Sequence, residues 1–350
     1  MAWAKVNLLN SQEIDNLVKI SGLHSILNNS NAYMILNVCI NGLKRQLLPN
    51  GHDLYILGFW HEVFDEEWFV RNYEKHPSAR FIILGDFLPN GLEKYNRVEF
   101  VRLLHWQYFT SSVTNSAIDW SQKKYKISSL SYYVNEFRYF VTAALLQTTD
   151  NLISWHNRQR SYGNYEYIFE KTGYSNRDNL IQFKDSLLNK IEIDEIHNDP
   201  TYNYQQAKIF PAYRETLVNC INETKDVSWV DNFGNSPGPY LTEKTWKPLY
   251  TGTALIFVGQ YNIKNILEKA GFIFDYPWSN QYADIPGDLE RLEKIIETIN
   301  YINEMPFETI LSGIKESCEY NKNYLYSNYF KDYINDINNI GLQKLEKILK

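Results

Sequence analysis

Asp53-Leu54-Tyr55-Ile56-Leu57-Gly58, a charged segment from Asp65 to His76, and Arg80-Phe81-Ile82-Ile83-Leu84-Gly85-Asp86 follow one another, and their reading decides the fold. The first and third are short apolar runs bounded by polar turns, the mark of buried strands. Between them Trp68, Phe69 and Tyr73 recur at helical spacing. Strand, helix and strand in this order imply a parallel sheet with crossover helices. Upstream, Ala32-Tyr33-Met34-Ile35-Leu36-Asn37-Val38 reads as another strand of the same kind.

The pattern restarts after a polar stretch, Ser111 to Lys126, which reads as an interdomain linker. A short strand is expected near Tyr125-Lys126-Ile127, a helix from Glu136 to Gln147, and a strand at Leu152-Ile153-Ser154-Trp155. Residues 160–212 are Tyr- and Asn-rich and weakly periodic, an irregular or acceptor-facing segment with one helix near Asn179 to Lys190. The alternation then resumes with a strand at Leu217 to Ile221 and a helix from Thr242 to Tyr250. A strand at Ala254 to Gly259 and a helix from Ile263 to Ala270 follow, and Asp288 to Leu349 is helical. With 350 residues the chain exceeds the usual span of one hydrophobic core. Two α/β domains are therefore expected, residues 1–120 and residues 121–350, the second carrying the terminal helices.

The composition is that of an ordinary globular protein, 44% hydrophobic and 22% charged. A formal net charge of −6 gives no general attraction to phosphate backbones. Cys39, Cys220 and Cys318 are far apart and form no Cys-x-x-Cys pair, which points away from zinc and toward a reducing compartment. No apolar run reaches the roughly 18 residues of a membrane span, and Met1-Ala2-Trp3-Ala4-Lys5 does not open like a signal peptide. A cytoplasmic location is expected, the host's if the source is a virus. No Ser-His-Asp set, Walker loop or Gly-x-Gly-x-x-Gly run stands behind a hydrolase, an ATPase or a dehydrogenase.

The chemistry concentrates in Pro239-Tyr240-Leu241-Thr242-Glu243-Lys244-Thr245-Trp246-Lys247-Pro248-Leu249. Thr242 is a good N-cap, which places Glu243 and Lys244 in the first helical turn. Backbone N–H groups at a helix start attract anions, and Lys244 adds a cation suited to a diphosphate. Glu243 can accept both hydroxyls of a ribose. The same residues also describe a plain capped helix with a first-turn acid and a solvated lysine.

Tyr240-Leu241-Thr242-Glu243-Lys244, followed by Gly252-Thr253-Ala254-Leu255-Ile256-Phe257-Val258-Gly259, resembles the donor-binding motif of the α-1,3-fucosyltransferases. Val218-Asn219-Cys220-Ile221-Asn222-Glu223-Thr224 is similar to that family's strand ending in a Glu-Asn-Thr-like turn. Phe137-Arg138-Tyr139 stands where the family has a donor-phosphate arginine. The block also resembles uncharacterised phage and large-virus proteins that share a run like Thr-Glu-Lys-Thr-Trp-Lys-Pro. The resemblance spans roughly Lys124 to Tyr276. It departs from the family at Asp226 to Gly238, an extra segment, and at Lys247-Pro248.

What the resemblance implies is a glycosyltransferase of the GT-B type, with two Rossmann-like domains and a helical C-terminal tail. Its co-substrate would be a nucleotide-diphosphate sugar, with no resident cofactor. Arg138 and Lys244 would neutralise the diphosphate, Glu243 would hold the ribose, and Tyr240 would shape the site near the base or phosphate. Glu223 would reach the sugar or the ribose. The chain contains no Asp-x-Asp run, so cationic side chains and the helix start at Thr242 are expected to stabilise the leaving group in place of a metal. An inverting mechanism needs a base at a strand end of the N-terminal domain. Glu62 and Asp86 occupy such positions, although each also suits an ordinary helix start or turn. The acceptor would be a glycan, a protein or a hydroxylated base in phage DNA. The alternatives are an inactive nucleotide- or carbohydrate-binding module of the same fold, and a phage structural protein.

Overall fold

The computed structural model describes residues 33–35, 47–58, 66–86, 88, 91–104, 116–131, 136–145, 150–155, 213–223, 241, 243–259 and 261–349. The chain divides into two compact units. Residues 1–112, 231–238 and 328–350 form the first, and residues 113–230 and 239–327 the second. Each holds one small parallel sheet with helices, a mixed α/β architecture of Rossmann-like kind.

The first sheet is built from β1 (Tyr33–Ile35), β2 (Leu54–Gly58), β3 (Arg80–Gly85) and β4 (Val98–Arg102), in that spatial order and all parallel. The middle strands are apolar throughout their buried stretch, Tyr55 to Leu57 and Phe81 to Leu84, as strands covered on both faces should be. Helix α1 (Glu66–Lys75) lays Trp68 and Phe69 against them. Phe69 meets Phe81 edge-on at 5.5 Å and Tyr55 stacks on Phe81 at 5.2 Å. Arg97 closes the end of α1, donating to the carbonyls of Tyr73, His76 and Ala79 at 2.9, 2.7 and 2.6 Å. A cation there also complements the helix dipole.

β4 was not among the strands expected from the sequence, and Val98-Glu99-Phe100-Val101-Arg102 alternates only over its first three residues. As the edge of the sheet it needs cover. The last helix, α7 (Asn328–Leu349), supplies it. Asn338 accepts from the Leu104 N–H at 2.7 Å and donates to the Leu104 carbonyl at 3.1 Å, and Lys344 donates to the Phe100 carbonyl at 2.8 Å. A Cβ on Gly341 would sit 2.1 Å from the Arg102 carbonyl oxygen, so only glycine permits this approach. The end of the chain therefore completes the first unit, whereas local pattern alone groups every terminal helix with the second.

The second sheet contains β5 (Tyr125–Ser131), β6 (Leu152–Trp155), β7 (Thr216–Asn222) and β8 (Ala254–Val258), all parallel, in the order β6-β5-β7-β8. Helix α2 (Glu136–Leu145) joins β5 to β6, and α3 (Glu243–Thr251) joins β7 to β8. The two crossovers run in opposite directions across the sheet, so right-handed connections put α2 and α3 on opposite faces. Packing agrees: α2 meets α5 (Asp288–Glu304), and α3 meets α6 (Phe307–Tyr326). Helix α4 (Ile263–Lys269) follows β8.

α3 ends at Gly252, whose φ of 64° is the left-handed stop favoured by glycine. A side chain there would also strike Ile118. In α6, Asn321 repeats the clamp of Asn338, accepting from the Ile273 N–H at 2.8 Å and donating to its carbonyl at 2.6 Å. Among the described residues no helix is long and apolar enough to cross a membrane.

Candidate functional site

In the second sheet the winding direction reverses between β5 and β7. Open α/β sheets bind ligands in the crevice outside the carboxyl ends of their strands at such a reversal. The segments that reach this edge are the ends of β5 and β7 and the starts of the helices that follow them. Only residues 132–135 separate β5 from the first turn of α2, which contains Arg138. The far end of α2 lies at the opposite edge, where Asn151, just before β6, donates to the Leu145 carbonyl at 3.1 Å.

For α3 a side-chain bond marks the position. Thr245, in its first turn, donates to Glu223 Oε1 at 2.6 Å, and Glu223 directly follows β7. Two helix starts, more than a hundred residues apart in the chain, thus share one edge of one sheet. Helix starts present partial positive charge and unsatisfied N–H groups, the ordinary setting for a phosphate.

The strands at the reversal are not apolar throughout. Parallel strands covered on both faces are usually continuous hydrophobic runs, so a buried polar group in one is informative. β5 carries Ser128 and Ser129, and β7 carries Asn219 and Asn222, all buried. Asn219 Nδ2 donates to Ser128 Oγ at 2.8 Å, and Asn222 Nδ2 donates to Ser129 Oγ at 2.7 Å. Glu223 continues this polar line to the sheet edge, fully buried, with its backbone N–H still bonded to the Val258 carbonyl at 3.1 Å.

The residues singled out from sequence fall as follows. Glu223 is a buried carboxylate engaged by Thr245, which fixes the start of α3 against the end of β7. Lys244 is part-exposed, while residues 245–250 of the same helix are all buried. Arg138 and Glu243 are described by backbone only, in the first turns of α2 and α3. Tyr240, Thr242 and Glu62 lie outside the described residues, as does the helix expected near Asn179 to Lys190. Asp86 sits where expected, after the carboxyl end of β3, 7% exposed, its carbonyl accepting from Arg102 Nε at 3.0 Å. Among the described residues no group of three or more His, Cys, Asp or Glu side chains is placed to hold a metal ion.

Sequence reasoning passed over Ser128, Ser129, Asn219, Asn222 and Thr245. The signal was present, because asparagines inside the apolar run Thr216-Leu217-Val218-Asn219-Cys220-Ile221-Asn222 are out of place in a buried strand. Arg291 left no such signal, as it stands in a charged helix start. It is 1% exposed and donates from Nε to the Gly259 carbonyl at 3.0 Å and from Nη1 to the Ile285 carbonyl at 2.8 Å. It thereby holds the turn after β8 on the same sheet edge. Tyr282 seals the outer side of β8, its hydroxyl accepting from the Phe257 N–H at 3.0 Å. Burial pushes that phenol far above its ordinary range.

No protein-family model matches the chain, and no curated protein matches it.

Proposed function

We propose that this protein is a glycosyltransferase of the two-domain GT-B type, with its nucleotide-diphosphate sugar bound at the β5/β7 edge of the second sheet. The observation that carries the reading is the strand reversal, with the helix starts bearing Arg138 and Lys244 brought to one edge of that sheet. The α-1,3-fucosyltransferase-like run of Tyr240 to Lys244 adds to it. In this reading Lys244, Arg138 and the two helix starts stabilise the departing diphosphate, with no metal required. Glu243 and Tyr240 hold the nucleoside. Thr242 caps α3, and Glu223 positions that helix through Thr245. Asp86 or Glu62 removes the acceptor proton in an inverting transfer to a glycan, a protein or a hydroxylated base of DNA.

The test is a thermal-shift screen against UDP, GDP, ADP, CMP and their sugars. A ligand at about 100 times its Kd stabilises its protein by roughly 2.7 kcal/mol, and one nucleotide series is expected to do so. Lys244→Ala is expected to weaken diphosphate binding about tenfold while leaving the nucleoside nearly unaffected, the loss of one charge-assisted contact. Equal loss for both, or no stabilisation by any nucleotide, rejects the reading.

A further inference from the structure

The opposite, amino edge of the second sheet holds a concentration of positive charge that the proposed transfer does not use. Lys123 precedes β5 and is 6% exposed. Its ammonium donates to the carbonyls of Thr216 and Tyr213 at 2.6 and 3.3 Å and to Thr253 Oγ1 at 3.1 Å. Those three bonds use all its donors, and none goes to an acid. Arg214, next to Tyr213, is exposed.

Helix α6 meets the same edge. Trp120 donates from Nε1 to Glu319 Oε1 at 3.0 Å, and its ring faces the ammonium of Lys123 at 5.7 Å. One turn from Cys318 on α6 stands Lys322, 5% exposed. Neither Lys322 nor Arg214 has a hydrogen-bond or ion-pair partner among the described residues. Burial lowers the pKa of both Lys123 and Lys322, and neighbouring cations add a smaller push the same way, Lys322 on Lys123 and Arg214 on Lys322. Of the acids on these segments among the described residues, Glu215 pairs with Lys124 at 3.1 Å and Glu319 is turned to the Trp120 indole.

A buried cation without a counter-charge is costly, and proteins ordinarily pair it or let a ligand do so. The opposed possibility, a structural lysine satisfied by carbonyls, describes Lys123 well and leaves Lys322 unexplained. We infer that Lys322 and Arg214, backed by the fixed charge of Lys123, form a binding site for a compact oxyanion, a phosphate or phosphomonoester group. Lys322 supplies the desolvated point charge. Arg214 supplies the planar donor pair that matches two oxygens of a tetrahedral anion. The site is separate from the nucleotide edge and does not depend on the transferase reading.

Inorganic phosphate, titrated into the full chain at constant ionic strength against chloride, is the probe. A saturating rise in melting temperature of about 5 °C is expected near 100 times Kd. Lys322→Met, which keeps most of the unbranched stem and removes the charge, is expected to melt higher than the parent without phosphate and to lose the phosphate-dependent rise. Arg214→Gln, exposed and harmless to folding, is expected to weaken the rise about tenfold at unchanged starting stability. Lys244→Ala should leave the phosphate response at this site intact, which separates it from the nucleotide edge. An unchanged phosphate response in both Lys322→Met and Arg214→Gln overturns the inference, as does a Lys322→Met protein that melts lower and binds phosphate as well as the parent.

Discussion

Among the described residues the two sheets have the same number of strands and the same parallel sense, yet they differ in two linked respects. In the first, chain order and spatial order coincide, and the middle strands are apolar through their buried stretch. In the second, the order reverses between β5 and β7, and the strands on either side of the reversal carry buried serines and asparagines bonded to one another. A monotonic sheet leaves no crevice between diverging crossovers among its described strands, so its interior can be wholly hydrophobic. A reversed sheet opens one, and polar groups can be kept where a ligand would meet them. The difference teaches where to look for chemistry: in the second unit, at the carboxyl edge.

The largest expected effect separates packing from function. Ile82→Ala in β3 should cost about 3 kcal/mol in denaturant unfolding, because it empties a fully buried site in an apolar strand. The paired change Ser129→Ala with Asn222→Leu removes both members of a polar contact, and such replacements are often within about 1 kcal/mol of neutral. It should nevertheless weaken nucleotide binding at least about tenfold, roughly the 1.4 kcal/mol of one lost contact. A double variant that binds nucleotide as the parent does would reduce the polar layer to packing and erase the contrast between the sheets.

A middle-sized effect concerns the bond that sets α3. Thr245→Val should destabilise by about 2 kcal/mol, since it strips a hydroxyl from a buried carboxylate. In a cycle with Glu223→Gln the pair should couple by about 1 kcal/mol. Additive losses would mean that the two side chains act independently and that something else seats the helix start.

The smallest effect is a slope. Burial lowers the Lys123 pKa to about 8 from an ordinary 10.5. Below pH 8 both folded and unfolded chains hold the proton. Between pH 8 and 10.5 the unfolded chain binds more protons, so this group makes stability rise with pH. The Cys318 thiol, pushed up to about 12 by burial, acts in the opposite direction in parent and variant alike. The stability of the parent relative to Lys123→Met should therefore rise by about 1 kcal/mol from pH 8 to pH 9. A flat difference would show that the ammonium keeps its ordinary pKa despite burial.

Much of the fold was legible before any coordinates. The apolar runs at Leu54 to Gly58, Arg80 to Gly85 and Ala254 to Val258 form strands within a residue or two of their expected limits. Burial on both faces leaves an unmistakable local pattern. β5 proved longer than its apolar nucleus, because Ser128, Ser129 and Ser131 blurred its end. β4 was missed since an edge strand, half exposed, carries charges that imitate a loop. At the candidate site, the start of α3 with Lys244 in its first turn was readable from the run around Thr242, and Glu223 was named from the resemblance at Val218 to Thr224. Thr245 and Arg291 were not, because ordinary helix composition conceals what they touch across space.

The amino-acid order alone determined the α/β alternation, the parallel sense of the sheets and the helix start at Glu243, since each depends on periodicity and capping within a few neighbouring residues. Only the tertiary structure decided that β7 returns to the far side of β5, that α7 comes back to cover β4, and that Lys322 is buried near Lys123 with no ion-pair partner among the described residues. These are matters of which distant segments meet. Gly341 makes the point: as a helix residue it is a local cost of about 1 kcal/mol, and only the Arg102 carbonyl pressed against it explains why it is there.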